Sequence, residues 1–234
     1  MEKVCDLQTH GLKFIQDDGF FPFGTDGVEL ANFAEGGARD RAIDLGCGTG
    51  IVPVLLAGKK GIPTVGVELQ PDVAALARRN AELNDLPVTI VNARVQDVRS
   101  LFPAGSFTVV TCNPPYRRAG SGSASLGFLL LAADRYGHGN KSERAMTLAD
   151  ALDAASYLLG QGGRFYIVHI TERMDEVMCE AYARRLTPKA LQVLRPAGKK
   201  PHIFLLKCVK DGKRGLEVYP ERDVLGSTGV DYPE

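Results

Sequence analysis

The chain has 234 residues, enough for one sizeable core and too few for two full domains with a linker, so a single domain spanning 1–234 is expected. Its 28 Lys and Arg balance 28 Asp and Glu, so net charge selects no nucleic acid, membrane or acidic partner. Five scattered cysteines without a C-x-x-C pair argue against a disulfide frame or zinc site, and no apolar run could span a bilayer. Reduced thiols in a cytoplasmic protein, with no metal and no membrane, are the expectation, and a monomer is favoured.

The first informative pattern is a series of short apolar, β-branched runs, each ending at a polar residue. Arg41 to Leu45, Thr64 to Glu68, Val88 to Asn92 and Phe107 to Cys112 read as buried strands. Gly50 to Ala57 can begin a helix. Pro71 to Leu83 is a second one, with Pro71 in its first turn and Val73, Leu76, Ala77 and Leu83 as an apolar stripe. The alternation βαβαβ predicts a doubly wound α/β fold, a mostly parallel sheet with helices on both faces. Ala119 to Ser125 is a Gly/Ser-rich loop. Further on, a helix is expected from Leu148 to Leu159, a turn at Gly160 to Gly163, a strand from Arg164 to Ile170 and a helix from Glu172 to Arg185. Ile203 to Val209 and Leu216 to Tyr219 read as a terminal antiparallel hairpin. The chain thus divides into an N-terminal segment (1–40), a ligand-binding core (41–183) and a basic hairpin region (184–234).

Chemistry concentrates at the strand ends. In Ala42-Ile43-Asp44-Leu45-Gly46-Cys47-Gly48-Thr49-Gly50, alternate glycines let the backbone turn tightly and approach a ligand. Asp44 would repel a pyrophosphate, which disfavours NAD, but would attract the ammonium that S-adenosyl-L-methionine carries. Glu68 closes the next strand, where an acceptor can take both ribose hydroxyls, unless it is an ordinary solvated carboxylate; Gly46, Gly48 and Leu69 complete this set of cofactor contacts. Asp97 can accept from an adenine 6-amino group and Val98 can donate its N–H to the ring, or Asp97 can cap a helix at Val98 to Leu101.

The most specific signal is Asn113-Pro114-Pro115-Tyr116 at the end of the fourth strand. Two prolines stiffen the turn and project the Pro114 carbonyl, Asn113 adds a second acceptor and a cofactor-side contact, and Tyr116 an aromatic face. Two acceptors can grip the hydrogens of a planar NH₂ group and align its nitrogen for direct displacement on a sulfonium methyl. His10, His138, His169 and His202 are isolated and read as structural or solvent-facing, and Cys112 as a buried strand thiol.

On these residues the chain resembles class I methyltransferases with an N-P-P-Y motif, and among them the bacterial valine-tRNA adenine-37 N6-methyltransferase family. Ile15-Gln16, Phe23-Gly24-Thr25-Asp26, Thr147-Leu148 and Lys207 to Leu216 add to the similarity. The resemblance implies a seven-stranded Rossmann-like sheet, S-adenosyl-L-methionine as cofactor, and Thr25 and Asp26 beside its methionine end, although Asp26 could equally cap a helix at Gly27 to Phe33. It implies the 6-amino group of an adenosine in RNA, at tRNA anticodon-loop position 37, as the acceptor. Arg117-Arg118 and the Asn140 to Met146 stretch depart from the family pattern. From Arg184 to Arg214 ten basic residues face Asp211 alone; with Arg117 and Arg118, Lys199 and Lys200 are the expected RNA contacts, a solvated basic face being the alternative. A protein glutamine amide, a ribosomal RNA guanine amine and a non-enzymatic S-adenosylmethionine sensor are the competing readings.

Overall fold

A computed structural model describes residues 1–20, 22–116, 146–196 and 200–224. The expected alternation is present as β3 (Ala42–Leu45), α2 (Ile51–Lys60), β4 (Thr64–Glu68), α3 (Pro71–Glu82), β5 (Val88–Asn92), α4 (Val98–Leu101) and β6 (Phe107–Cys112), followed by α5 (Leu148–Leu158), β7 (Leu159–Ile170), α6 (Met174–Ala183), β8 (Leu186–Pro196) and β9 (Ile203–Lys210). Ahead of these stand β1 (Glu2–Asp6), β2 (Lys13–Asp17) and α1 (Thr25–Phe33), and after them β10 (Glu217–Val218) and β11 (Arg222–Val224).

The main sheet runs β5-β4-β3-β6-β7-β9-β8, with β10 and β11 both added to the outer side of β8, nine strands in all. From β5 to β7 every pair is parallel, and only β9 runs against its neighbours. Parallel strands covered on both faces need apolar side chains at successive positions. Val109 and Val110, or Phe165 and Tyr166, therefore turn to opposite faces, one packed under α1 and α2 and the other under α4, α5 and α6.

The hairpin partner of β9 differs from expectation. β9 pairs antiparallel with β8, which precedes it, whereas Glu217–Val218 pairs with β8 in parallel. Ile203, Phe204, Leu205, Leu206 and Cys208 are all buried, so β9 requires a long neighbour on each side, and a two-residue strand cannot supply one. Two prolines disguise β8. Pro188 is accommodated at a register shift between Pro188 and Ala190, where a ladder bond is interrupted anyway, and Pro196 is the last residue of the strand.

The N-terminal hairpin β1–β2 was also unmarked in the sequence. Its outer edge is closed by side chains of α3 and of the turn that follows it: Asn84 in that turn accepts from the Lys13 N–H at 2.8 Å and donates to the Lys13 carbonyl at 2.8 Å. α1 is fastened from several directions. The Lys60 ammonium donates to the carbonyls of Ala31 (2.7 Å) and Asn32 (3.0 Å) at its C-terminal end, and Arg222 of β11 pairs with Glu29. Among the described residues, no helix is long and apolar enough to cross a membrane.

Candidate active site

Leu45 and Cys112 are in register on β3 and β6, so Gly46 and Asn113 leave the sheet side by side at its carboxyl edge. This is where strand order reverses and a crevice opens in doubly wound sheets. The turn after β3 is possible only because Gly46, Gly48 and Gly50 take φ of +71°, +55° and +93°. A Cβ on Gly50 would also lie 3.2 Å from Ala77 of α3, so glycine sets how closely the turn approaches that helix.

Asp44 is 2% exposed and its Oδ1 accepts from the Thr111 hydroxyl of β6 at 2.6 Å. Burial, with the charge of Glu68 adding to it, pushes its pKa up to about 7. Glu68 is not a solvated strand-end carboxylate. It is 7% exposed, accepts from the Gly48 N–H at 3.0 Å and the Gln70 N–H at 2.9 Å, and so ties the glycine turn to β4. Burial raises its pKa even against those bonds. Neither acid has a cationic partner among the described residues, so two buried carboxylates face one crevice unneutralised. Such a donor set fits a ligand that brings its own positive charge and hydroxyls.

Leu69, beside Glu68, leaves 39% of its surface open. Asp97 ends a short 3-10 turn, Val95–Asp97, that leads into α4, and it makes no side-chain capping bond; Val98 is buried behind it. Both follow β5 at the same carboxyl edge. Thr25 opens α1, whose N-cap is Gly24, so Asp26 lies within the first turn and is not the cap.

The Asp26 carboxylate instead accepts from the Tyr116 hydroxyl at 2.5 Å. Tyr116 is held at two further points. Its carbonyl accepts from Arg173 Nη1 at 2.9 Å, with that guanidinium forked on Glu176, and its ring lies 5.3 Å from the ring of His169. His169 is fully buried, and its Nδ1 accepts from the Ile170 N–H at 2.9 Å, which places the proton of the neutral ring on Nε2. Burial, then the Arg173 charge, lowers its pKa to about 4. Asn113 is half-buried, Pro114 buried and Pro115 exposed, so the turn has one anchored wall and one open one. Sequence reasoning missed Arg173, His169 and Thr111; the available signal was that His169 is the last residue but one of the strand next to the N-P-P-Y strand.

The run of basic residues from Arg184 to Arg214 does not form one face. Arg184 pairs with Asp153 and Glu180, Arg185 with Asp211, Arg195 with Glu221 and Asp223, and Lys207 with Glu35. Lys210 is buried against Ser156. Because β8 and β9 run in opposite directions, Arg184, Arg185, Lys210, Lys213 and Arg214 lie at the edge opposite the crevice. Lys200, in the β8–β9 connection, is exposed at the crevice edge. Lys199, Arg117 and Arg118 fall outside the described residues.

Residues 27–135, which run from α1 through β6 and beyond, match the family model described as Methyltransferase small domain. The chain is 26% identical over 223 residues to a tRNA1(Val) (adenine(37)-N6)-methyltransferase of Porphyromonas gingivalis, covering 90% of this chain and 84% of the relative. The protein is an S-adenosylmethionine-dependent methyltransferase with the class I fold. A shorter stretch of this methyltransferase, 98 residues or 38% of the chain, is 37% identical to 32% of a release factor glutamine methyltransferase of Haemophilus influenzae. Its fold is shared with a crystal structure of a predicted O-methyltransferase from Agrobacterium tumefaciens, with TM-score 0.62, 20% identity and 86% of both chains covered.

Proposed function

We propose that this methyltransferase acts on the exocyclic 6-amino group of an adenosine in RNA, at position 37 of a tRNA anticodon loop, and does so in the cytoplasm. The observation that carries the reading is the turn Asn113-Pro114-Pro115-Tyr116 beside the glycine turn, fixed through Tyr116 to both Asp26 and Arg173. The similarity along most of the chain to the Porphyromonas gingivalis enzyme supports the choice of acceptor.

In this reading Asp44 holds the cofactor ammonium, Glu68 the ribose hydroxyls, and Asp97 with the Val98 N–H the adenine; Leu69 covers the ring, Gly46 and Gly48 line the methionine end, and Thr25 and Asp26 close it. Bound S-adenosylmethionine supplies an electrophilic methyl. Asn113 and the Pro114 carbonyl accept the two N–H groups of the target amine, which draws its lone pair out of the ring and points it along the displacement axis. With the cofactor bound, these same acceptors would stabilise the positive charge that methylation places on the nitrogen and would hold its hydrogens until the surplus proton passes to water. Tyr116 and Pro115 present the face on which a splayed base stacks. Arg117, Arg118, Lys199 and Lys200 hold the flanking phosphates.

The identity to a release factor glutamine methyltransferase over 98 residues favours a second reading, a protein glutamine amide held in the same grip. Tritiated methyl transfer to full-length tRNA, an anticodon stem-loop, ribosomal RNA and a protein with an exposed glutamine, followed by analysis of the labelled product, separates the two. N6-methyladenosine in tRNA alone is the expected result, and methylglutamine or methylguanosine as the sole product defeats the proposal.

A further inference from the structure

Asn80, in the last turns of α3, is fully buried and uses every hydrogen-bonding group of its side chain. Its Oδ1 accepts from the Ile15 N–H of β2 at 2.6 Å, and its Nδ2 donates to the Ile15 carbonyl at 3.2 Å and to the Thr49 carbonyl at 3.0 Å. One acceptor and two donors on so short a stem are found in no other side chain: Asp lacks the donors, Leu lacks both, and Gln is a methylene longer. Asn84, in the turn just after α3, repeats the grip on Lys13. The two amides thus hold Ile15 and Lys13, alternate residues of β2, as a neighbouring strand would.

Only Asn80 reaches beyond the hairpin. Thr49 lies between Gly48, whose N–H is held by Glu68, and Gly50, whose φ is +93°. A peptide unit joined to a left-handed glycine can turn over at small steric cost, because glycine lacks the Cβ that would oppose it. The bond from Asn80 fixes the Thr49 carbonyl toward α3, away from the crevice.

We infer that Asn80 is a positioning residue for the cofactor: it couples the N-terminal hairpin to the glycine turn, so that a docked hairpin holds that turn in the form that binds S-adenosylmethionine. The coupling rests on the assignment of the glycine turn to the cofactor, and it is reciprocal, since a ligand that stabilises the turn must also stabilise the docked hairpin.

The test compares S-adenosylhomocysteine binding by calorimetry in the unaltered protein, Asn80→Asp, Asn84→Ala and Asp44→Ala. Asn80→Asp keeps the shape and the acceptor but loses both donors; its Kd should rise about tenfold, the equivalent of one lost hydrogen bond, with Asn84→Ala within about twofold of the unaltered protein on the same scale. Unchanged affinity in a folded Asn80→Asp protein, alongside weakened binding in Asp44→Ala, overturns the role of Asn80; unchanged affinity in Asp44→Ala as well overturns the assignment of the turn. Hydrogen exchange on the unaltered protein gives a second readout that needs no variant. Saturating S-adenosylhomocysteine should slow the amides of Lys13 and Ile15 more than those of β9, whereas equal slowing throughout the sheet, or none at these two, overturns the coupling.

Discussion

At Asp44 two requirements pull against each other. The carboxyl is buried beside Glu68 with one hydroxyl donor, and its pKa rises to about 7, above the value near 4 of an unfolded chain. The folded state therefore holds this proton more tightly, and the stability it contributes is present below about pH 4 and lost as pH rises through about 7. Asp44→Asn should accordingly raise the melting temperature of the ligand-free protein at pH 8 and change it little at pH 4, as scanning calorimetry would show; a loss at pH 8 would contradict the strain. Affinity for S-adenosylhomocysteine, which keeps the ammonium, should weaken as pH falls below about 7 and be flat across that range in the variant. Tyr116 carries a different load. Its hydroxyl donates to the Asp26 carboxylate, and a hydrogen bond to a charged group is worth on the order of 1.5–3 kcal/mol. Tyr116→Phe should lower kcat for methyl transfer to RNA at least about tenfold, and the melting temperature by roughly 3–12 °C. Wild-type turnover in Tyr116→Phe would reduce the hydroxyl to a structural detail.

Between elements, the two ends of β9 should behave differently toward RNA. The β8–β9 connection brings Lys200 to the crevice edge, whereas the turn after β9 carries Lys213 and Arg214 at the far edge. Charge reversal at Lys200 should flatten the dependence of tRNA affinity on salt, and the same change at Lys213 and Arg214 should leave it alone. Filter binding between low and moderate salt would decide, and equal slopes for both would remove the distinction. The reason this division was illegible in the sequence is that Glu35, Asp153, Glu180, Glu221 and Asp223 lie outside the basic run yet neutralise three of its members. By contrast, β3, β4 and β6 were legible because each is a short run buried on both faces and closed by glycine or a polar residue, and the edge strand β5 because it is a short β-branched run closed by Asn92. Asp44, Glu68 and Asn113 could be placed at the carboxyl edge for the same reason. β8 was hidden by its prolines, and β1–β2 by pairing that depends on Asn80 and Asn84, at least 65 positions away in the chain. The hold on Tyr116 is likewise long-range, joining residues 90 and 57 positions apart.

Over the whole molecule, the helix that presents Thr25 and Asp26 is secured by the last strands. α1 packs on β7 and β9, Glu29 pairs with Arg222, and Lys207 reaches Glu35 just beyond its end. Arg222→Ala leaves the largely buried Glu29 carboxylate unpaired and should cost about 1–3 kcal/mol in urea unfolding, with Arg222→Ala in a Glu29→Gln background costing much less. Equal costs in both backgrounds would show that the pair is incidental. The placement of α1 also carries a consequence for the order of events during synthesis. Units such as β3-α2-β4 close through neighbours in the chain and can form while translation proceeds, but α1 has no complete seat until Arg222 and Val224 have emerged. Contacts spanning so much chain form late and slowly. A nascent chain would thus carry a finished glycine turn with its first helix still waiting, and tight cofactor binding would mark the completion of the protein instead of guiding it.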